Sequence, residues 1–176
     1  MSTDNPGNFF RSEDFDNNEE DGVENWKPIK MNGRALYKKA IDILNITQTI
    51  CDLMPDEEYE EMTKGLMLSN AMIIPAKIHG AMAVDNVYSM MMENAVIIKV
   101  NICELKAQLW ACDEIHGIEK KYTEVLKEEI KIFKALFIDW VGSFEKENDL
   151  PDDWHLFNDP DSFSGDDESF NANDEI

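Results

Sequence analysis

At 176 residues and a net charge of −21 at pH 7, the chain has room for one packed domain plus tails, and its acidity disfavours a phosphate backbone as a main partner. No run of about 18 apolar residues occurs, and the first residues are acidic where a secretory signal would be basic and then apolar, so a soluble, cytoplasmic protein with no membrane partner is expected. Cys51, Cys103 and Cys112 form no CxxC pair, and each sits in an apolar helical pattern, which predicts buried, reduced thiols.

The charge is unevenly spread. Residues 1–26 carry eight acids against Arg11, and residues 145–176 carry twelve against Lys146, which leaves a net of −3 for residues 27–144. The first segment scatters Phe9, Phe10 and Phe15 among acids without apolar periodicity and reads as a disordered tail. From about Gly33 the spacing of Leu36, Ala40, Ile43 or Leu44, Thr47, Ile50 or Cys51 and Met54 predicts a first helix, ended by Pro55. Asp56, Glu57 and Glu58 open a second in the sense the helix dipole favours, with Tyr59, Met62, Leu66, Ser69 or Asn70, Ile73 and Ile78 as its expected inner face. That helix contains Pro75, and it is expected to bend or end there, with His79 and Gly80 loosening the backbone.

A third and longest run, from about Asp85, places Val87 or Tyr88, Met91, Ala95, Ile98, Ile102, Leu105, Leu109 and Cys112 on one face and closes at His116-Gly117. A fourth runs from Ile118 to about Phe144 through Tyr122, Val125, Leu126, Ile132, Phe133, Leu136 and Trp140. Four helices, short connections and no strand signal predict an all-α, antiparallel up-and-down four-helix bundle over residues 27–144, with disordered acidic tails on either side.

The last two helices each show a second apolar stripe. On the third it is Met92, Val96, Val100, Cys103, Ala107 and Trp110; on the fourth it is Leu126, Ile130, Phe133, Phe137, Val141 and Phe144. Either each helix has one wide core face, or the second stripe is buried against another copy. The second alternative makes Met92, Val96, Val100, Cys103, Trp110, Phe137, Val141 and Phe144 the expected oligomer interface. After Phe144, the aromatic residues Trp154, Phe157, Phe163 and Phe170 alternate with acids, a pattern suited either to partner binding or simply to solubility.

Catalytic constellations are not drawn by these residues. His79, His116 and His155 lie on separate segments with no HxxxH or HExxH spacing, so no metal pair shares a helix face. Glu93, Glu104 and Glu128 lack the histidine three residues on that a di-iron bundle needs. The acidic runs near both ends lack the glycine and twelfth-position glutamate of a calcium loop. No catalytic residue, cofactor site or metal site is expected, and the protein reads as a non-enzyme.

Three segments nonetheless carry a resemblance. Ala71, Ile74, Pro75 and Ile78 match a proline-centred motif late in the second helix; Glu104, Leu105, Gln108 and Leu109 match an E-L-x-x-Q-L segment in the third; and Tyr122, Val125, Glu129 and Ile130 resemble the pattern of the fourth. Together they resemble the four-helix bundle family of proteins encoded in intervening sequences of 23S rRNA genes, related to the accessory variability protein of diversity-generating retroelements. The resemblance implies a pentameric ring of bundles without enzymatic activity, and a reverse transcriptase as the partner of the retroelement relative. Ser69 and Asn70 stand where relatives carry arginines, and Lys77, His79, Gly80 and Ala81 depart from the rest of the motif.

The expectation is therefore a non-catalytic oligomeric scaffold or accessory protein that binds a basic protein partner, with the tails presenting Trp154, Phe157, Phe163 and Phe170. The alternative is a nucleic-acid-binding accessory protein that touches RNA or DNA weakly or indirectly through Lys120, Lys121, Lys127, Lys131 and Lys134, with Lys38 and Lys39, while the acidic tails regulate access.

Overall fold

In a computed structural model of the chain, the described residues are 28–84, 87–147, 149–150 and 154–157, apart from the side chain of Tyr59. The first 26 residues, Phe163 and Phe170 lie outside them. Among the described residues the secondary structure is four helices: α1 Pro28–Asp52, α2 Glu58–Met82, α3 Tyr88–Glu114 and α4 Lys120–Val141. Each packs on its neighbours in chain order, and α1 closes the ring against α4. Lys39 meets Glu129 and Asn32 meets the carbonyl of Asp139, so positions advance along α1 as they recede along α4. Met67 with Cys112 and Asn70 with Gln108 show the same opposed order for α2 and α3.

Helix α1 starts at Pro28 rather than near Gly33. A proline at the first helical position has its φ preset and sacrifices an N–H that has no intrahelical acceptor there. Gly33 lies inside the helix for a packing reason: a Cβ at that position would fall 2.8 Å from Met82 Sδ and 3.2 Å from Trp140 Nε1. Its inner face, Leu36, Ala40, Ile43, Thr47 and Ile50, is the one the spacing predicts.

The register of α2 differs from the expected one. Thr63, Met67, Asn70, Ala71, Ile74 and Ile78 are buried, whereas Met62 and Leu66 are exposed. Apolar residues occur around much of this helix, so periodicity alone could not choose the inward side. The helix also ends neither at Pro75 nor at Gly80 but continues to Met82. Pro75 is buried, and lacking an N–H it cannot donate to the carbonyl of Ala71. Burial of Ala71, Ile74 and Ile78 on either side offsets a cost of about 3 kcal/mol.

Helix α3 buries Met91, Ala95, Ile98, Leu105, Leu109 and Cys112 as expected, with Asn101 beside them. Its end is fixed by Gly117, whose φ of 65° lies in the left-handed region, and the Ile118 N–H then donates to the Cys112 carbonyl at 3.0 Å. On α4 the two expected stripes resolve into one core face. Leu126, Ile130, Phe133, Trp140 and Phe144 are buried, Phe137 and Val141 pack partly against them, and Val125 and Ile132 are exposed. Trp140 meets Phe144 edge-on at 4.8 Å between ring centres.

The bundle reaches past Phe144. Asp149, in the segment expected to be disordered, accepts the Ser89 N–H at 3.0 Å, and Lys146 lies over the Tyr88 ring. No side chain at the N-cap residue Val87 caps α3, so Asp149 supplies the acceptor from the far end of the chain.

Replacing Trp140 with Ala should lower the unfolding free energy by roughly 3–5 kcal/mol, measured by urea denaturation followed by far-UV circular dichroism. Asp149→Ala should cost about 1 kcal/mol, the scale of a lost helix cap, in the same assay.

Candidate functional surface

The outward side of α3 is an apolar surface that the bundle leaves uncovered, as are Met62, Leu66 and Met72 on α2. Val96 is 44 %, Val100 46 % and Trp110 64 % exposed, and Cys103 and Ala107 are exposed between them. Met92, at the start of the stripe, is partly buried against the core. The expected interface thus divides: its α3 members face outward, while Phe137, Val141 and Phe144 belong to the core or its margin. Lys99 and Lys106 flank the exposed stripe on one edge, and Glu93 and Glu104 on the other, by their angular positions on the helix.

Cys103 departs from the expectation of three buried thiols. The other two are inert: burial pushes Cys51 up to about 12, helped by the nearby Cys112 and Asp52, and pushes Cys112 up to about 11, helped by Asp113. Both remain protonated at neutral pH, unfit as nucleophiles or thiolate ligands. Among the described residues no group of three His, Cys, Asp or Glu is placed to hold a metal ion. Nor is any helix long and apolar enough to cross a membrane.

The lysines proposed to touch nucleic acid are mostly engaged. Lys127 pairs with Asp113 at 2.9 Å and Glu124 at 2.8 Å, Lys131 with Glu128, Lys121 with Glu119 at 2.8 Å, and Lys120 with Glu114 at 3.6 Å. Lys39 is held by Glu129 at 2.6 Å and Asp42 at 2.9 Å. Of the five on α4, Lys134 has no ion pair among the described residues. Acids nearby in the chain, or across a helix seam, neutralise much of the basic surface that counterion release requires.

One of those seams was not foreseen. Asp113 near the end of α3 accepts from the Thr123 hydroxyl and from Lys127, stitching α3 to α4 around the connecting turn. Its side chain is 8 % exposed. Burial raises the carboxyl's pKa, but the hydrogen bonds from Thr123 and Lys127 and the positive charge of Lys127 outweigh it, and the net shift is downward. The sequence signal was present as an acid ten residues before Thr123, but only the sharp turn at Gly117 brings them together. His116 is likewise turned inward, its Nδ1 3.3 Å from Glu60 Oε1, joining α2 to the same turn. His79 is exposed, away from both.

Most of the residues that carry the resemblance are packing residues here. Ala71, Ile74, Pro75, Ile78, Leu105, Leu109 and Ile130 are buried, Gln108 accepts from Asn70 at 3.2 Å, and Glu129 holds Lys39. Glu104 is exposed, as is Val125, and Tyr122 is partly buried. In the C-terminal segment Trp154 is 89 % exposed and Phe157 is half-buried. No family model, curated protein or solved structure matches the chain.

A carboxyl whose pKa is depressed by folding stabilises the native state above its unfolded value and loses that contribution as pH falls through the folded value. Asp113→Asn should therefore remove part of the acid-induced loss of stability below about pH 4, visible as a flatter acid limb in urea midpoints. At pH 7 the same variant should be less stable by roughly 1–2 kcal/mol, because Thr123 and Lys127 lose a charged acceptor.

Proposed function

We propose that the protein is a non-catalytic scaffold or accessory protein, a homo-oligomer of four-helix bundles that binds a protein partner. The observation that carries this reading is the charge-free, outward stripe of α3, where Val96, Val100, Cys103, Ala107 and Trp110 stay exposed at a regular spacing after the core is filled. Titratable groups on the described surface support it in a second way. Many of them are engaged with one another, Lys127 with Asp113 across α3 and α4 and with Glu124 along α4, and among the described residues no group of three His, Cys, Asp or Glu is placed to hold a metal ion. The resemblance adds an oligomeric, non-enzymatic precedent, five copies in its relatives, and a reverse transcriptase as the first partner to test. A basic partner surface suits the C-terminal segment, where exposed Trp154 stands among acids.

The nucleic-acid alternative is the weaker one, because Lys120, Lys121, Lys127 and Lys131 are already neutralised.

The test uses the full-length chain. Replacing Trp154, Phe157, Phe163 and Phe170 with Ser while keeping every acid should reduce recovery of a co-purifying protein by roughly tenfold, the effect of losing aromatic anchors. Unchanged recovery would assign the C-terminal segment to solubility. RNA or DNA binding that weakens steeply with added salt would favour the alternative instead.

A further inference from the structure

One polar atom of the core contributes no hydrogen bond to the fold. Trp140 is fully buried, and its Nε1–H has no hydrogen-bond partner among the described residues. A buried donor in this state forfeits the bonds it made to water in the unfolded chain. Its surroundings are set by Gly33, whose missing side chain leaves a notch on α1. Met82 Sδ and Trp140 Nε1 lie 2.8 Å and 3.2 Å from the point that a Cβ would occupy there, so sulfur and indole nitrogen are neighbours in that notch. A thioether sulfur is a weak acceptor, and no hydrogen bond joins the two atoms.

Met82 combines this neighbour with access. It is the last residue of α2, packed against the core yet only half-buried. Met54, Met67 and Met91 are buried out of reach of an oxidant in solution, whereas a sulfoxide on the exposed Met31, Met62, Met72 or Met90 would simply face water. Hydrogen peroxide oxidises a thioether by giving one oxygen atom to the sulfur lone pair. An S–O bond forms and the O–O bond breaks; the proton of the transferred oxygen passes to the departing hydroxide, and water leaves. Sulfur loses two electrons and the peroxide gains them. The product carries a strong acceptor one bond away from Sδ, and at about 2.9 Å from Nε1 that oxygen takes the indole hydrogen bond. A sulfoxide formed elsewhere in a core disrupts it, because the new polar group has no partner. Here the donor is already in place. We propose that Met82 is an oxidation site whose sulfoxide is held by the Trp140 indole N–H, so that a hydroperoxide ties the end of α2 to α4 beside Gly33. The site lies apart from the outer face of α3, and its test is independent of the scaffold reading.

The experiment uses the full-length chain with Cys103→Ser, which removes the exposed thiol as a competing target, isotopically labelled at the tryptophan indole nitrogens. Trp26→Phe, Trp110→Phe and Trp154→Phe each delete one of the four indole N–H signals in the NMR spectrum and leave that of Trp140 identified. After treatment with millimolar hydrogen peroxide, peptide mass spectrometry should find one added oxygen on Met82 while Met54, Met67 and Met91 stay reduced. The Trp140 indole proton should then move downfield, as a donor that gains an acceptor does. Met82→Gln, which sets an amide oxygen close to the place of the sulfoxide oxygen, should move it the same way without peroxide. Met82→Leu should abolish the response to peroxide although the exposed methionines still oxidise. Met82 that stays reduced once Met31, Met62, Met72 and Met90 are fully oxidised would overturn the site. So would a Trp140 signal that stays put or moves upfield in the Met82-oxidised chain, the same downfield shift in the Met82→Leu chain, or loss of the folded spectrum on oxidation.

Discussion

Each helix of a four-helix bundle can turn only one side to the shared core, and that geometric limit governs what the apolar residues of this chain do. On helix α4 most residues of the two apparent stripes converge around Phe133, Trp140 and Phe144 into one inward face, while Val125 and Ile132 stay outside it. Helix α3 exceeds it. After Met91, Ile98, Leu105 and Leu109 have filled the core, Val96, Val100 and Trp110 remain in water. Exposed valines and a tryptophan at a regular spacing are a standing cost in water that a second surface would remove. The core is what makes that outer face rigid enough to be read by a partner.

The connections hold the helices in place through acceptors drawn from distant positions. Asp149 reaches the open N-terminus of α3 from beyond the end of α4, and Asp113 collects Thr123 and Lys127 across the turn that Gly117 permits. Both carboxyls are depressed even though burial acts in the opposite direction, because hydrogen bonds to the charged form dominate. For Asp149 those bonds come from Ser89 and the Leu150 N–H. Lys127 is one of several lysines tied to acids in this way, with Lys39, Lys64, Lys120, Lys121 and Lys131. A surface whose lysines are tied to neighbouring acids has little left to release counterions from a nucleic acid, and its apolar face becomes the better guide to what it meets.

Pro75 shows how tertiary packing lets a helix continue past a residue that often ends one. Taken alone, a proline in a run of apolar residues predicts a bend or an end. Here α2 passes through it to Met82, with Pro75 buried and Ala71, Ile74 and Ile78 packed around it. The same helix shows the limit of periodicity. Met62 and Leu66 fit a helical stripe as well as Thr63 and Met67 do, and the choice between them fell to the neighbours on α1 and α3.

What could be read from residues alone was whatever depends on contacts within a few residues along the chain. The number of helices, the inner faces of α1 and α3, the stop at Gly117 and the concentration of acid at the two ends are of that kind, because spacing, turn conformation and charge are local properties. The heptad spacing of Val96, Val100, Cys103, Ala107 and Trp110 was legible too, but not whether that stripe faced inward or outward. The inward side of α2, the merging of the α4 stripes, the exposure of Cys103 and the pairing of Lys127 with Asp113 were settled only in three dimensions. Each depends on which helix lies beside which, and a side chain's burial is a property of its neighbours rather than of its own sequence position.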